Sequence, residues 1–283
     1  MVFIVFSMLI MMFPMGNVNA ITGNPQPDTA HPYVVLVVVD VEDANGNNVP
    51  AWRGTGALIS STVVLTAAHL TDGAVSARIF LGPGPFTYHL AAPGYPYGGD
   101  TIQGKSIEGK PYTNPDYANY LKGNAKGVPY FETRDVGIVV LDKAVSTSDV
   151  SSYGQLPLAG YDDQLSVGTG IDFVGFGVQY QVTPKNMGPY NAWTGVKERF
   201  TAPANLLSGN FAWSDEFLRV SANAAQGKGG TAFGDSGGPV LRGGTNTILA
   251  VVSYGTNSNC AGVGYYQRVD IPAVLDWIND FLV

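Results

Sequence analysis

Short, β-branched apolar runs, each cut off by turn residues, constrain this chain most. Tyr33 to Val41 is mostly valine, and Gly54–Ile59, Val63–Thr66, Val136–Leu141 and Ile248–Tyr254 are built alike. Runs of this length and composition read as buried strands, and signals such as Asn45-Gly46 mark the turns between them. With 36 glycines, 18 prolines and only 13% charged residues, the chain favours many strands joined by turns over helices. Its end is the exception. From Asp270 to Val283 it reads as a helix, with Asp270 able to cap, Pro272 in the first turn, and Ile271, Val274, Leu275 and Ile278 on one face. A length of 283 residues suits one large all-β unit or two small domains, and 45% hydrophobic residues supply a core.

The net charge of -7 is spread along the chain, with no basic stripe, so nucleic acid is not an expected partner. One cysteine and three histidines make no metal-binding spacing, and no cofactor is expected. Val2 to Phe13 is an apolar run too short for a comfortable membrane span. Pro14 breaks it, and Gly16 to Ala20 is short and polar, with Val18 and Ala20 loosely matching a cleavage site. Residues 1–20 therefore read as a secretory signal, although no Lys or Arg precedes the apolar run. An uncleaved anchor and a different start are the alternatives. The expected product is a secreted protein with no stable membrane insertion once the signal is removed. Export permits disulfides, yet Cys260 has no partner within the chain and reads as an unremarkable buried thiol.

Three segments carry chemistry. Gly234-Asp235-Ser236-Gly237-Gly238-Pro239 sets a serine between glycines that allow a tight turn and close approach. Val63-Val64-Leu65-Thr66-Ala67-Ala68-His69 ends a strand on a histidine, and Asp135 starts the apolar run to Leu141. A serine hydroxyl is a weak nucleophile unless a base removes its proton and an acid orients that base. Each residue also has a plain reading: Ser236 as a turn residue, His69 as structural, Asp135 as a strand-edge acid. Asp116 and Asp142 are rival acids. Asp72 reads as a turn residue. Of His31, His69 and His89, only His69 has the Thr-Ala-Ala-His context.

Taken together, in the order His, Asp, Ser, these segments resemble the trypsin/chymotrypsin-like serine proteases from about Ile21 to the C-terminus. The resemblance implies a signal over 1–20 and a peptidase domain over 21–283. Within it lie two packed six-stranded antiparallel β-barrels, about 21–150 and 151–268, and a C-terminal helix over about 270–283. Leu156-Pro157-Leu158 and Phe173-Val174-Gly175-Phe176-Gly177 resemble the start of the second barrel. It further implies Ser236 as nucleophile, His69 as base, Asp135 as orienting acid, and the N–H groups of Gly234 and Ser236 as oxyanion donors. Ile21-Thr22-Gly23-Asn24 resembles a mature N-terminus whose amino group pairs with Asp235.

The substrate pocket would have Gly230 at its base and Thr231, Ser253, Tyr254, Gly255 and Gly264 as walls, with Ser253 also bonding Asp135. None of these is acidic, and the two wall glycines would leave room, so bulky uncharged side chains are expected. Polypeptide substrates and protein inhibitors are the implied partners of a monomer. The chain departs from the family in two places. Between His69 and Asp135 lie 66 residue steps, more than is usual, so 82–134 reads as inserted surface loops with one or two strands. Ala232, Gly54 and Leu70 stand where disulfide cysteines are common. An idle binding module and an esterase on the same machinery are the alternatives.

Overall fold

The computed structural model describes residues 21, 25–87, 105–118, 133–177, 196–208, 214–222, 226–255 and 262–282. Fifteen strands are present in these segments: β1 (Gln26–Pro27), β2 (Val34–Glu42), β3 (Asn48–Leu58), β4 (Val63–Thr66), β5 (Ser76–Phe80), β6 (Phe86–Thr87), β7 (Ser106–Thr113), β8 (Gly137–Leu141), β9 (Gly170–Gly175), β10 (Val196–Lys197), β11 (Phe200–Ser208), β12 (Phe217–Ala222), β13 (Pro239–Arg242), β14 (Ile248–Gly255) and β15 (Gly262–Arg268). Two short α-helices accompany them, α1 (Ala68–Thr71) and α2 (Pro272–Asn279).

The first barrel closes in the order β2-β3-β4-β8-β7-β5. The second runs β11-β12-β15-β14-β13-β9 and closes where β9 pairs with β11, while β1 adds an outer edge to β11. All of these pairings are antiparallel, and closure removes the unpaired strand edges such a chain would otherwise expose.

The valine run of β2 is buried from Val34 through Asp40, which is why it lacks the polar alternation of a one-sided strand. Asp40 is tolerated there because Arg78 Nη2 (2.8 Å) and Ser76 Oγ (3.0 Å) donate to it. β3 begins six residues before the expected strand, because Asn48–Arg53 carries a proline and an arginine within it and is not buried before Arg53. Within 82–134, β6 and β7 are strands, and β7 is a full stave of the first barrel rather than surface decoration.

Helix α2 follows the second barrel in sequence, yet its buried Val274 and Ile278 belong to the cluster centred on the first barrel. Phe281, just beyond it, packs on Tyr112 of β7 with ring centres 5.0 Å apart. The helix therefore fastens one barrel to the other. Among the described residues no helix is long and apolar enough to cross a membrane.

Asp270 does not cap α2. The N-cap is Ile271, without a side-chain cap bond, and the Asp270 carboxylate turns away to accept from Asp162 N and from Arg268 Nε and Nη2 (2.8–2.9 Å). Beside it Asp162 is fully buried, with Arg268 Nε 3.9 Å from its Oδ2. Burial and the Asp270 charge, against the pull of Arg268, push the Asp162 carboxyl up to about 8.

The folded chain thus keeps a proton that an unfolded aspartate, titrating near about 4, would lose. Stability is then greatest below about pH 4 for this group and falls as pH rises towards about 8. Asp162→Asn, with the same shape and no charge to acquire, is expected to flatten that decline and to be more stable than wild type at pH 8. Denaturant unfolding of both proteins at pH 5 and pH 8 measures it; equal slopes with pH would refute it.

Candidate active site

The site forms where the two barrels meet. Strand β4 pairs with β8 in a register that sets Thr66 opposite Gly137, so the chain just after β4 and the chain just before β8 leave the barrel at one end. His69 lies on α1, directly after β4, and Asp135 two residues before β8. Gly137 is glycine for a steric reason: a Cβ there would stand 2.7 Å from both Ala67 O and Thr71 Oγ1. Trp52 Nε1 donates to Leu70 O (2.7 Å) and holds α1 from β3.

Asp135 grips His69 at two points. Its Oδ2 accepts from the ring at Nδ1 (2.7 Å), and its Oδ1 accepts from the His69 main-chain N–H (2.8 Å). Ser253 Oγ also donates to Oδ2 (2.6 Å). Ser253 can turn this way because the β14–β15 register skips between Val252 and Tyr254. Arg134 adopts a left-handed φ of +47° just before Asp135, and the Asp135 N–H is held by Gln267 Oε1 (2.9 Å).

The electrostatics follow from this geometry. Burial alone would raise the Asp135 carboxyl, but the charge and hydrogen bonds of His69, with Ser253, hold it below the ordinary aspartate range. Burial alone would lower His69, but the Asp135 carboxylate lifts the imidazole above its ordinary value. The rival acids stand elsewhere. Asp116 pairs with Arg134 (3.2 Å), and Asp142 follows the opposite end of β8. His31 is bonded to Asp28 (2.7 Å), and His89 lies outside the described residues.

The Ser236 turn docks against β3 and the start of α1. Ser236 O accepts from Thr55 N (2.8 Å), and a Cβ on Gly237 would fall 2.7 Å from Ala67 N, two residues from His69. Gly234 and Gly237 carry φ of +97° and +77°, which side chains rarely allow. Gly234 also faces the buried Arg53 guanidinium, which a Cβ would approach to 2.7 Å and which donates to Phe176 O (3.0 Å). Among the described residues, neither the Ser236 hydroxyl nor the Gly234 and Ser236 main-chain N–H groups make a hydrogen bond.

This arrangement has relatives. The sequence model of the trypsin family matches residues 20–278, nearly the whole chain. The chain belongs to the trypsin family. It is 25% identical over 271 residues to Serine protease 1 and to Serine protease 2 of Drosophila melanogaster, covering 91% of this chain and 83% of each relative. Its fold matches the solved structures of HL collagenase (TM-score 0.60, 18% identity, 92% of this chain and 97% of that one) and of the scabies mite inactivated protease paralogue S-D1 (TM-score 0.60, 17% identity, 92% and 96%). Human heparin binding protein shares it too (TM-score 0.58, 17% identity, 92% and 96%).

Within this trypsin-family chain, Gly54 and Leu70 occupy positions where the family often has a disulfide. Here the Leu70 side chain fills the space a Cβ on Gly54 would need, 2.3 Å from Cδ1, so apolar packing replaces the bridge. Cys260 lies outside the described residues, as do residues 1–20.

Asp235 is buried. Its Oδ1 accepts from Gly177 N and its Oδ2 from Ala232 N, both at 2.8 Å. The carboxylate lies so close to the chain that a Cβ on Gly175 or Gly177 would come within 2.1 and 2.4 Å of it. Ile21 is fully buried in the second-barrel cluster and has a φ of +62°, rare for a β-branched residue.

At the pocket, Gly230 is buried and Thr231 half-buried, and Thr231 Oγ1 shares a hydrogen bond with Tyr266 Oη (3.1 Å). Tyr266 was not legible as a pocket residue. It follows Gly264 by two positions on β15, and its ring takes the space a Cβ on Gly264 would need, 2.1 Å from Oη. Gly264 thus makes room for Tyr266, where an open pocket was expected. Tyr254 stacks on Tyr265 (5.3 Å between centres) and meets Phe217 edge-on (5.4 Å), which stiffens the wall that continues to Gly255. Thr55, Arg53 and Gln267 also escaped the sequence reading, because each acts across a barrel or strand boundary that no local pattern reveals.

Proposed function

We propose that this trypsin-family protein is a secreted serine endopeptidase that hydrolyses peptide bonds through an acyl-enzyme. The observation carrying the reading is the double hold of a buried Asp135 on His69, through ring and main chain together. That hold leaves the far ring nitrogen as the basic one, the state a general base needs.

In the proposed reaction Ser236 Oγ attacks the peptide carbonyl carbon as His69 Nε2 takes its proton. The carbonyl π pair moves onto oxygen, and the N–H groups of Gly234 and Ser236 bind that oxyanion. The C–N bond then breaks, and the imidazolium returns its proton to the leaving amine. Water repeats the sequence on the acyl-enzyme and frees Ser236. Asp135 stays ionised throughout and stabilises the imidazolium. No metal or cofactor is needed for any step.

The substrate reading rests on Gly230, Thr231, Ser253, Tyr254, Gly255 and Gly264. Two hydroxyls, Thr231 and Tyr266, meet at the pocket base, and none of the six pocket residues is acidic. A cationic side chain would lack a counter-charge among these residues, so uncharged side chains are favoured next to the scissile bond, within the space that the Tyr266 ring leaves beside Gly264. A polypeptide strand would pair with the Gly255 main chain.

The full burial of Ile21 in the second-barrel cluster supports a chain that begins there once residues 1–20 are removed, which would free its amino group for Asp235. The fold it shares with an inactivated protease paralogue supports one rival reading, an idle module that binds proteins through the same cleft.

Labelling of the purified secreted protein with a serine-directed fluorophosphonate, read by intact mass beside Ser236→Ala, separates the two. A label on wild type alone, on a chain starting at Ile21, is expected. A chain that starts at Ile21 and takes no label would refute the peptidase and leave the binding module.

A further inference from the structure

We propose that Thr55 is a positioning residue that holds the oxyanion-binding turn from the opposite barrel; the inference rests on the Ser236 chemistry above. Thr55 sits on β3, fully buried, and all of its polar groups are engaged. Its N–H donates to Ser236 O (2.8 Å), and its Oγ1 donates to Gly234 O (2.9 Å). The same Oγ1 accepts from Phe176 N (3.0 Å), and its carbonyl accepts from Thr66 Oγ1 (2.8 Å). Three of the four bonds cross from the first barrel to the second.

The geometry of the turn gives these bonds their consequence. The Gly234 carbonyl shares a rigid peptide plane with the Asp235 N–H, and the Ser236 carbonyl shares one with the Gly237 N–H. Thr55 therefore fixes the planes on both sides of the peptide that carries the Ser236 N–H, and one of them adjoins the peptide that carries the Gly234 N–H. Asp235 N to Ala232 O (3.0 Å) and Gly237 N to Val252 O (2.8 Å) hold the other ends of those planes.

The turn needs this external hold. It is rich in glycine, with left-handed torsions at Gly234 and Gly237, and has little conformational preference of its own. Donors aimed in advance at the developing charge are what make an oxyanion site effective. Any residue but proline at 55 offers a main-chain N–H to Ser236 O. Only a hydroxyl both donates to Gly234 O and accepts from Phe176 N.

Thr55→Val keeps the shape and removes the hydroxyl, and Thr55→Ser keeps the hydroxyl. We read the rate of fluorophosphonate labelling, and kcat and KM on a chromogenic peptide anilide with phenylalanine beside the scissile bond. Thr55→Val is expected to slow labelling and lower kcat about 10- to 100-fold while KM stays within about threefold, with Thr55→Ser restoring most of the rate. The pH midpoint of kcat/KM is expected not to move, because Thr55 does not touch the imidazole.

If wild type labels and Thr55→Val labels at the same rate, the peptidase reading stands and the role of Thr55 is overturned. A loss confined to KM, or a moved pH midpoint, also overturns it. Should Thr55→Val not fold, Thr55→Ala, which leaves room for water beside the freed groups, faces the same comparison. If neither folds while Thr55→Ser does, the hydroxyl serves folding and not positioning, and the proposal fails. A wild type that takes no label overturns the peptidase reading and this inference with it.

Discussion

Ser236→Ala is expected to lower kcat for peptide hydrolysis by about five to six orders of magnitude while leaving the protein folded. The size of the loss follows from covalent catalysis: without Oγ no acyl-enzyme forms, and only binding and oxyanion stabilisation remain to act on attacking water. The preserved fold follows from the local structure. Ser236 is anchored through its main-chain carbonyl to Thr55 N, and its hydroxyl makes no hydrogen bond among the described residues. Removing one half-buried oxygen with no partner changes stability by less than about 1 kcal/mol. Turnover of a peptide anilide and thermal unfolding of the same preparation test both halves. Turnover near the wild-type value would remove Ser236 from the mechanism.

The second large effect is expected at Asp135. Asp135→Asn should cost about four orders of magnitude in kcat, because an amide in that position donates to Nδ1 and leaves the proton on Nε2, where the base is needed. Ser253 Oγ shares Oδ2 with Nδ1 in wild type and would instead accept from the second amide N–H, while the asparagine carbonyl keeps the His69 main-chain N–H, so the surroundings need not collapse.

The pH dependence moves too, and its sign is fixed. Activity needs neutral His69, so it appears as pH rises through the folded imidazole pKa, which Asp135 holds above the ordinary value of about 6.5. Removing the carboxylate charge leaves burial, which acts in the opposite direction. The acid limb of kcat/KM should therefore lie above about pH 6.5 in wild type and move downward in the residual activity of Asp135→Asn. A limb that stays in place would mean that Asp135 does not set the imidazole charge.

Much of this was legible in the chain because local rules applied. The valine run of β2 and the apolar Val63–Thr66 and Val136–Leu141 segments are strands whose ends place His69 and Asp135, and a strand end can be read from composition alone. The turn at Ser236 was legible for the same reason, since its glycines are needed by torsion and by contact. The stretch from Gly82 to Arg134 was harder. Ser106–Thr113 is a polar, proline-containing segment that becomes a barrel stave only because β5 and β8 flank it.

Asp270 failed as a helix cap for a related reason. Its carboxylate had a stronger option in the Arg268 guanidinium and the Asp162 N–H, and neither could be placed before the chain folded.

Residue order and residue type determined which side chains were available for catalysis: a histidine after one strand, an acid before another, and a serine in a glycine turn. Tertiary structure alone decided how they are held. Thr55 reaches the Ser236 turn across 179 and more positions of sequence, Gln267 meets Asp135 across 132, and Tyr266 fills the space beside Gly264. Such contacts are set by barrel closure and by the packing of one barrel on the other. A one-dimensional pattern records the period of a strand, but not which strand of the other barrel comes to lie against it.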